Sequence, residues 1–197
     1  VGLCGSGIID TIAELFRTGI INSKGLFVRE GARVARDHHG TGRYILAFPE
    51  ESATGREVAL NEVDILNFIR AKGAIYSAID TLLSAMDMDQ SVIEGVYVAG
   101  GIGSGINMKN GCSGIPEERR ISYGCLNMKN AVRIGMFPNV PLELFHYIGN
   151  SSQAGAYAMA LSDEAAKKVE EVAKNMTYME LSTHPGYMDA FVAACFL

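Results

Sequence analysis

The sequence predicts an α/β fold, on three observations. An apolar run, Val96 to Ala99, ends directly in Gly100-Gly101, as a buried strand does at a tight turn. Long stretches on either side repeat apolar residues at helical spacing. Between residues 25 and 60 that periodicity gives way to short β-like runs separated by turn residues.

Taken in order, Ile8, Ile9, Ile12, Leu15 and Phe16 define a first amphipathic helix, with Ser6 as its N-cap and Gly19 as its terminating glycine. Leu26 to Val28, Arg43 to Phe48 and Val58 to Leu60 are the strands of a small meander over residues 25–60. Asn61 caps a long helix whose apolar stripe runs through Ile65, Phe68 or Ile69, Ala71 or Lys72, Ile75, Ile79, Leu82, Leu83 and Met86. Gly73 interrupts it at about 1 kcal/mol relative to alanine, a cost accepted where a neighbour or ligand comes close. After the Val96 to Ala99 strand, NMKN occurs twice, at Asn107 to Asn110 and at Asn127 to Asn130, around a loop-like, charged stretch. Residues 107–126 read as an insertion. Then come a short helix over Ala131 to Phe137, a strand over Leu144 to Ile148, a helix from Asn150-Ser151 and a charged helix capped by Ser162. Tyr178 to Leu181 is a last short strand. Pro185 opens the final helix, with Thr183 or His184 capping.

Composition narrows the function. The chain has 197 residues and is 48% hydrophobic and 20% charged, an ordinary globular composition. A net charge of −5 argues against nucleic acid or an anionic membrane surface as partner. No apolar run approaches the roughly 20 residues that span a bilayer, and no leader is visible, so a cytoplasmic home is expected. The chain starts at Val1 inside a loop-like segment, as expected of a piece of a longer protein. Cys4, Cys112, Cys125 and Cys195 form no C-x-x-C pair and read as reduced thiols, and the four histidines are scattered, so no metal site is assigned.

Three places could carry ligand chemistry. Gly100, Gly101 and Gly103 either form a plain turn or let a ligand approach the backbone at the carboxyl end of a strand, where ligands of open α/β sheets bind. Lys72 falls near the apolar stripe of its helix and either snorkels to water or neutralises an anion. Asn150 and Ser151 lie between a strand and a helix, where they either cap the helix or face a ligand with free amides.

GLCGSGIIDTIAELFRTGII, AKGAIYSAI, VYVAGGIGSGIN, AVRIGMFPNVPLELFHYIGNSSQAGA and MELSTHPGYMDAFVAACF, in that order, resemble the C-terminal part of the ATP-dependent reductive activators of corrinoid proteins. These belong to the ASKHA superfamily of acetate and sugar kinases, heat-shock chaperones and actin. The resemblance implies a ribonuclease-H-like, actin-like ATPase fold over the whole chain. It implies ATP with Mg2+ as ligand, with Gly100 and Gly101 against the ribose and α-phosphate and the helix carrying Lys72 and Gly73 beside the base. It implies a corrinoid protein and an electron donor as partners, and an iron–sulfur cluster elsewhere in the parent chain. The phosphate-binding hairpins of that family have no counterpart in the sequence, so the chain alone is not expected to hydrolyse ATP, and no catalytic residue is assigned. An incomplete fold should expose apolar surface and self-associate, forming a homodimer or larger species. Two other readings remain open: a kinase or activator of another ASKHA branch, and a partner-docking module with Glu117 to Arg120 at the tip of its inserted loop.

Overall fold

The structure is a computed structural model that describes residues 3–100 and 128–197. Gly101, Gly103, the first NMKN copy and the expected insertion at 107–126 lie outside the described residues.

Helix α1 (Gly5–Arg17) is the shared wall of two apolar cores. Its Ile9 and Ala13 face one, and its Ile12 and Leu15 face the other. The helix starts earlier than Ser6 suggested. Cys4 is the N-cap and Ser6 sits buried in the first turn, because a serine drawn into the core cannot turn back to cap the helix. Gly19 ends it as expected. With φ at +69°, its N–H reaches the Phe16 carbonyl while that of Ile20 reaches Leu15, closing the last turn.

A three-stranded antiparallel meander follows: β1 (Val34–Arg36), β2 (Gly42–Ala47) and β3 (Val58–Asn61), in the order β1-β2-β3. Leu26 to Val28 is not one of its strands. Phe27 makes a single bridge to Ile21 and turns its ring into the core, leaving the pairing edge of β2 to Val34–Arg36, which the sequence did not mark. Asn61 then caps helix α2 (Glu62–Ala85) as expected, accepting from the Asp64 N–H at 2.8 Å while the Asp64 carboxylate accepts from Asn61 at 3.2 Å.

The stripe expected on α2 holds for its first half only. Ile65 and Ile69 are fully buried, but Ile75, Leu82 and Met86 are 41%, 48% and 60% exposed. The buried line continues instead through Gly73, Ser77 and Thr81, small residues at every fourth position. Helix α6 (Tyr187–Ala194) packs against α2, and at Gly73 the fit leaves no room for a side chain. Size rather than hydrophobicity selects that face.

The second core lies between α1, helix α3 (Met128–Arg133) and a parallel pair, β4 (Val96–Ala99) and β5 (Phe145–Gly149), paired Val96 to Phe145 and Val98 to Tyr147. Helix α3 is shorter than the expected Ala131–Phe137 helix and starts earlier, since Gly135 takes a positive φ of 71° and Pro138 follows. Helices α4 (Ser151–Leu161) and α5 (Asp163–Asn175) pack on each other, and Ser162 caps α5 as expected. Tyr178 to Leu181 is not a strand; it has no ladder partner among the described residues, and Leu181–Thr183 tightens into a 3-10 turn. Neither Thr183 nor His184 caps α6, and Pro185 is not its first residue. Gly186, at φ +81°, turns the chain after Pro185 and starts the helix at Tyr187. Among the described residues no helix is long and apolar enough to cross a membrane.

Candidate functional site

The carboxyl ends of β4 and β5 meet at two glycines. Gly100 (φ +111°) donates its N–H to the Gly149 carbonyl at 2.9 Å, and Gly149 itself has φ +71°. The Tyr147 hydroxyl donates to the Gly100 carbonyl at 2.7 Å. These dihedrals suit glycine, and among the described residues a Cβ on either would meet no atom within 4 Å. The glycines therefore hold a backbone shape, with no described residue crowding the space a side chain would take.

Asn150 follows at once as the N-cap of α4, its side chain accepting from the Gln153 N–H at a long 3.3 Å. Ser151 and Ser152 are exposed, and the first turn of α4 holds no acidic residue, so nothing within the turn offsets the positive end of the helix. Gly100, Asn150 and Ser151, three of the residues singled out in the sequence, thus share one rim. Tyr147 and Gly149 complete it. Gly149 was legible as a glycine just before an N-cap; Tyr147 was not, because its role depends on which strand pairs with β4.

Lys72 and Gly73 lie instead in the contact of α2 with α6. Lys72 is 2% exposed, and its ammonium donates to the Phe196 carbonyl. Burial pushes the pKa of this amine down, against a smaller opposing pull from the Cys195 thiol. A Cβ on Gly73 would fall 3.0 Å from the Cys195 Sγ. The Lys72 side chain is thus covered rather than presented at the rim.

A second polar group joins α1 to α3. Asn130 is 5% exposed, donates to the Asp10 carboxylate at 2.9 Å and accepts from Arg133 at 3.3 Å. At the start of α1, the Cys4 thiol is exposed and its pKa is lowered, chiefly by the Ser6 hydroxyl 3.2 Å away and then by the Gly7 backbone amide. His146 stacks on Tyr97, ring centroids 5.2 Å apart. Among the described residues no three His, Cys, Asp or Glu side chains gather as metal ligands.

Residues 1–115 and 123–197 match the family described as the C-terminal, ASKHA domain of RACo. The chain belongs to this family. The corrinoid activation enzyme RamQ of Eubacterium limosum is 27% identical over 199 residues, which cover 97% of this chain and 30% of RamQ. A solved structure of a reductive activator for corrinoid, iron–sulfur protein superposes with a TM-score of 0.83 at 37% identity, over 100% of this chain and 28% of that one. The chain thus spans less than a third of the length of these relatives. As an ASKHA C-terminal domain it carries the fold expected from the resemblance: a small antiparallel sheet, a parallel pair and packed helices, the C-terminal portion of an actin-like ATPase.

Proposed function

We propose that the chain is the nucleotide-binding part of an ATP-dependent reductive activator that returns the cobalt of a corrinoid protein to Co(I). One observation carries the nucleotide part of this reading: two positive-φ glycines and the N-terminus of α4 converge at the carboxyl end of a parallel strand pair. The bare backbone of Gly100 and Gly149 admits a ribose and phosphate at close range. The first-turn amides of α4, with no carboxylate beside them, suit phosphate oxygens. Gly101 and Gly103 follow Gly100 in sequence, whereas Lys72 and Gly73, buried where α2 meets α6, stand apart from this rim. The relatives named for corrinoid activation support the corrinoid part of the reading.

A Mg2+ ion carried with the nucleotide needs only one or two protein carboxylates beside phosphate and water. The described residues offer no cluster for it, so in this reading the phosphates hold the metal and the carboxylates come from outside this rim. The electron reaches cobalt from a donor and an iron–sulfur cluster outside this domain, and the cobalt changes from Co(II) to Co(I) by gaining it. ATP would act by closing the ASKHA halves on the corrinoid partner, a hinge transition. A second copy is a further expected partner: Tyr157, Leu161, Met176 and Tyr178 are each at least 68% exposed.

The test is calorimetric titration of ATP–Mg2+ into the full protein, its Gly100→Val variant and its Gly149→Val variant, with cobalt reduction followed by absorbance. Expected is a loss of affinity of at least about tenfold in each variant, as blocked backbone approach implies, and cobalt reduction that depends on ATP. Unchanged affinity in both variants refutes the site, and reduction indifferent to ATP refutes the function.

A further inference from the structure

A buried polar contact lies where the chain leaves α6. A buried lysine is costly unless its ammonium finds an acceptor. Lys72 finds the Phe196 carbonyl, just past the carboxyl end of α6, where helix carbonyls lack partners and a cation is favoured. Two glycines make the room. A Cβ on Gly73 would stand 3.0 Å from the Cys195 Sγ and 3.3 Å from the Ala194 carbonyl, and one on Gly135 would stand 3.3 Å from the Lys72 Nζ.

The next residue continues the pattern. Leu197 donates its N–H to the Ser23 carbonyl at 2.9 Å, and its side chain packs against both apolar cores. Residues 195–197 therefore touch α2, the turn before Gly25 and the seam between the two cores. Gly135, beside the Lys72 ammonium, begins the connection that leads into β5.

We propose that Cys195–Leu197 is a latch, closed by Lys72, which locks the seam between the two cores, so that its release opens the seam locally without unfolding either core. Lys72 is a positioning residue here, acting through the Phe196 carbonyl.

Cys195 reports on the latch directly. The full protein, its Lys72→Met variant and its Gly73→Ala variant are alkylated with iodoacetamide, and the Cys195 peptide is followed by mass spectrometry. Methionine keeps the length of the side chain and removes the donor; Gly73→Ala displaces the Cys195 thiol with Lys72 intact. Hydrogen exchange at the Leu197 amide and at the α1 amides is measured on the same proteins. Expected are increases of about tenfold or more in Cys195 labelling and Leu197 exchange in both variants, with the α1 amides unchanged. Cys195 labelling at the parent rate in both variants overturns the latch. So does α1 exchange that accelerates in step with Leu197, which marks a general loss of stability. Should Lys72→Met fail to fold, Gly73→Ala decides by the same two criteria.

Discussion

Replacing Glu62 with alanine should lose a clamp that joins three parts of the fold, and the structure gives the size. Glu62 is the first residue of α2, and its side chain is 15% exposed. One carboxylate oxygen accepts the Phe27 N–H at 3.0 Å, and the other accepts the Gly42 N–H at 3.0 Å. The carboxylate thereby ties the Phe27 segment and the start of β2 to the head of α2. Hydrogen bonds to a charged group contribute about 1.5–3 kcal/mol each. The helix N-terminus adds a few tenths to 1 kcal/mol more. Water reaching a partly open site repays some of this, so Glu62→Ala should lose about 3 kcal/mol. Arg36, 3.9 Å away and half exposed, contributes little of it. Glu62→Gln keeps one acceptor but turns an amide N–H2 toward the second donor, so it should lose about half as much. In urea, with a slope of about 2 kcal/mol/M, alanine lowers the midpoint by about 1.5 M. A shift below about 0.3 M, or a glutamine as damaging as the alanine, refutes the clamp.

Two further outcomes follow from single positions. Gly25 has φ +78°, and a Cβ there would lie 2.5 Å from the Ile65 Cγ2 and 2.9 Å from the Ile69 Cδ1. Gly25→Ala should therefore combine left-handed strain with overpacking and lose about 2–4 kcal/mol, read by the same urea titration; a loss under about 1 kcal/mol contradicts the packing. The Cys4 thiol should alkylate with a pH midpoint below that of a free cysteine, and Ser6→Ala should move the midpoint up, because the Ser6 hydroxyl is the main stabiliser of the thiolate. Because the folded thiol titrates lower than the unfolded one, its contribution favours folding above the ordinary thiol pKa and fades as pH falls through the folded value. An unchanged midpoint in Ser6→Ala removes the assignment.

Much of the candidate rim was legible without coordinates. Gly100 and the pair Asn150-Ser151 each follow an apolar run that becomes β4 or β5, and a glycine or capping residue at the end of such a run is a local signal. That the two ends lie side by side was not local. It depends on β4 pairing in parallel with β5 across more than forty intervening residues, and the Tyr147 hydroxyl on the Gly100 carbonyl exists only through that pairing. The reading of α2 failed in its second half for a related reason. Hydrophobicity points to Ile75 and Leu82, but the partner helix requires small residues, and Gly73, Ser77 and Thr81 meet that requirement.

Sequence alone determined where helices begin and end at Gly19, Asn61 and Ser162, the glycine that follows β4 at Gly100, and the family to which the chain belongs. These rest on capping, periodicity and ordered motifs, interactions that close within a few residues or are copied along the chain. The tertiary structure decided which face of α2 is covered, that Glu62 clamps two backbone amides and that the Lys72 ammonium serves the Phe196 carbonyl. Those contacts join residues 20 to 124 positions apart. Their energy depends on burial and on the identity of the neighbour, and neither is present in a residue's own stretch of sequence.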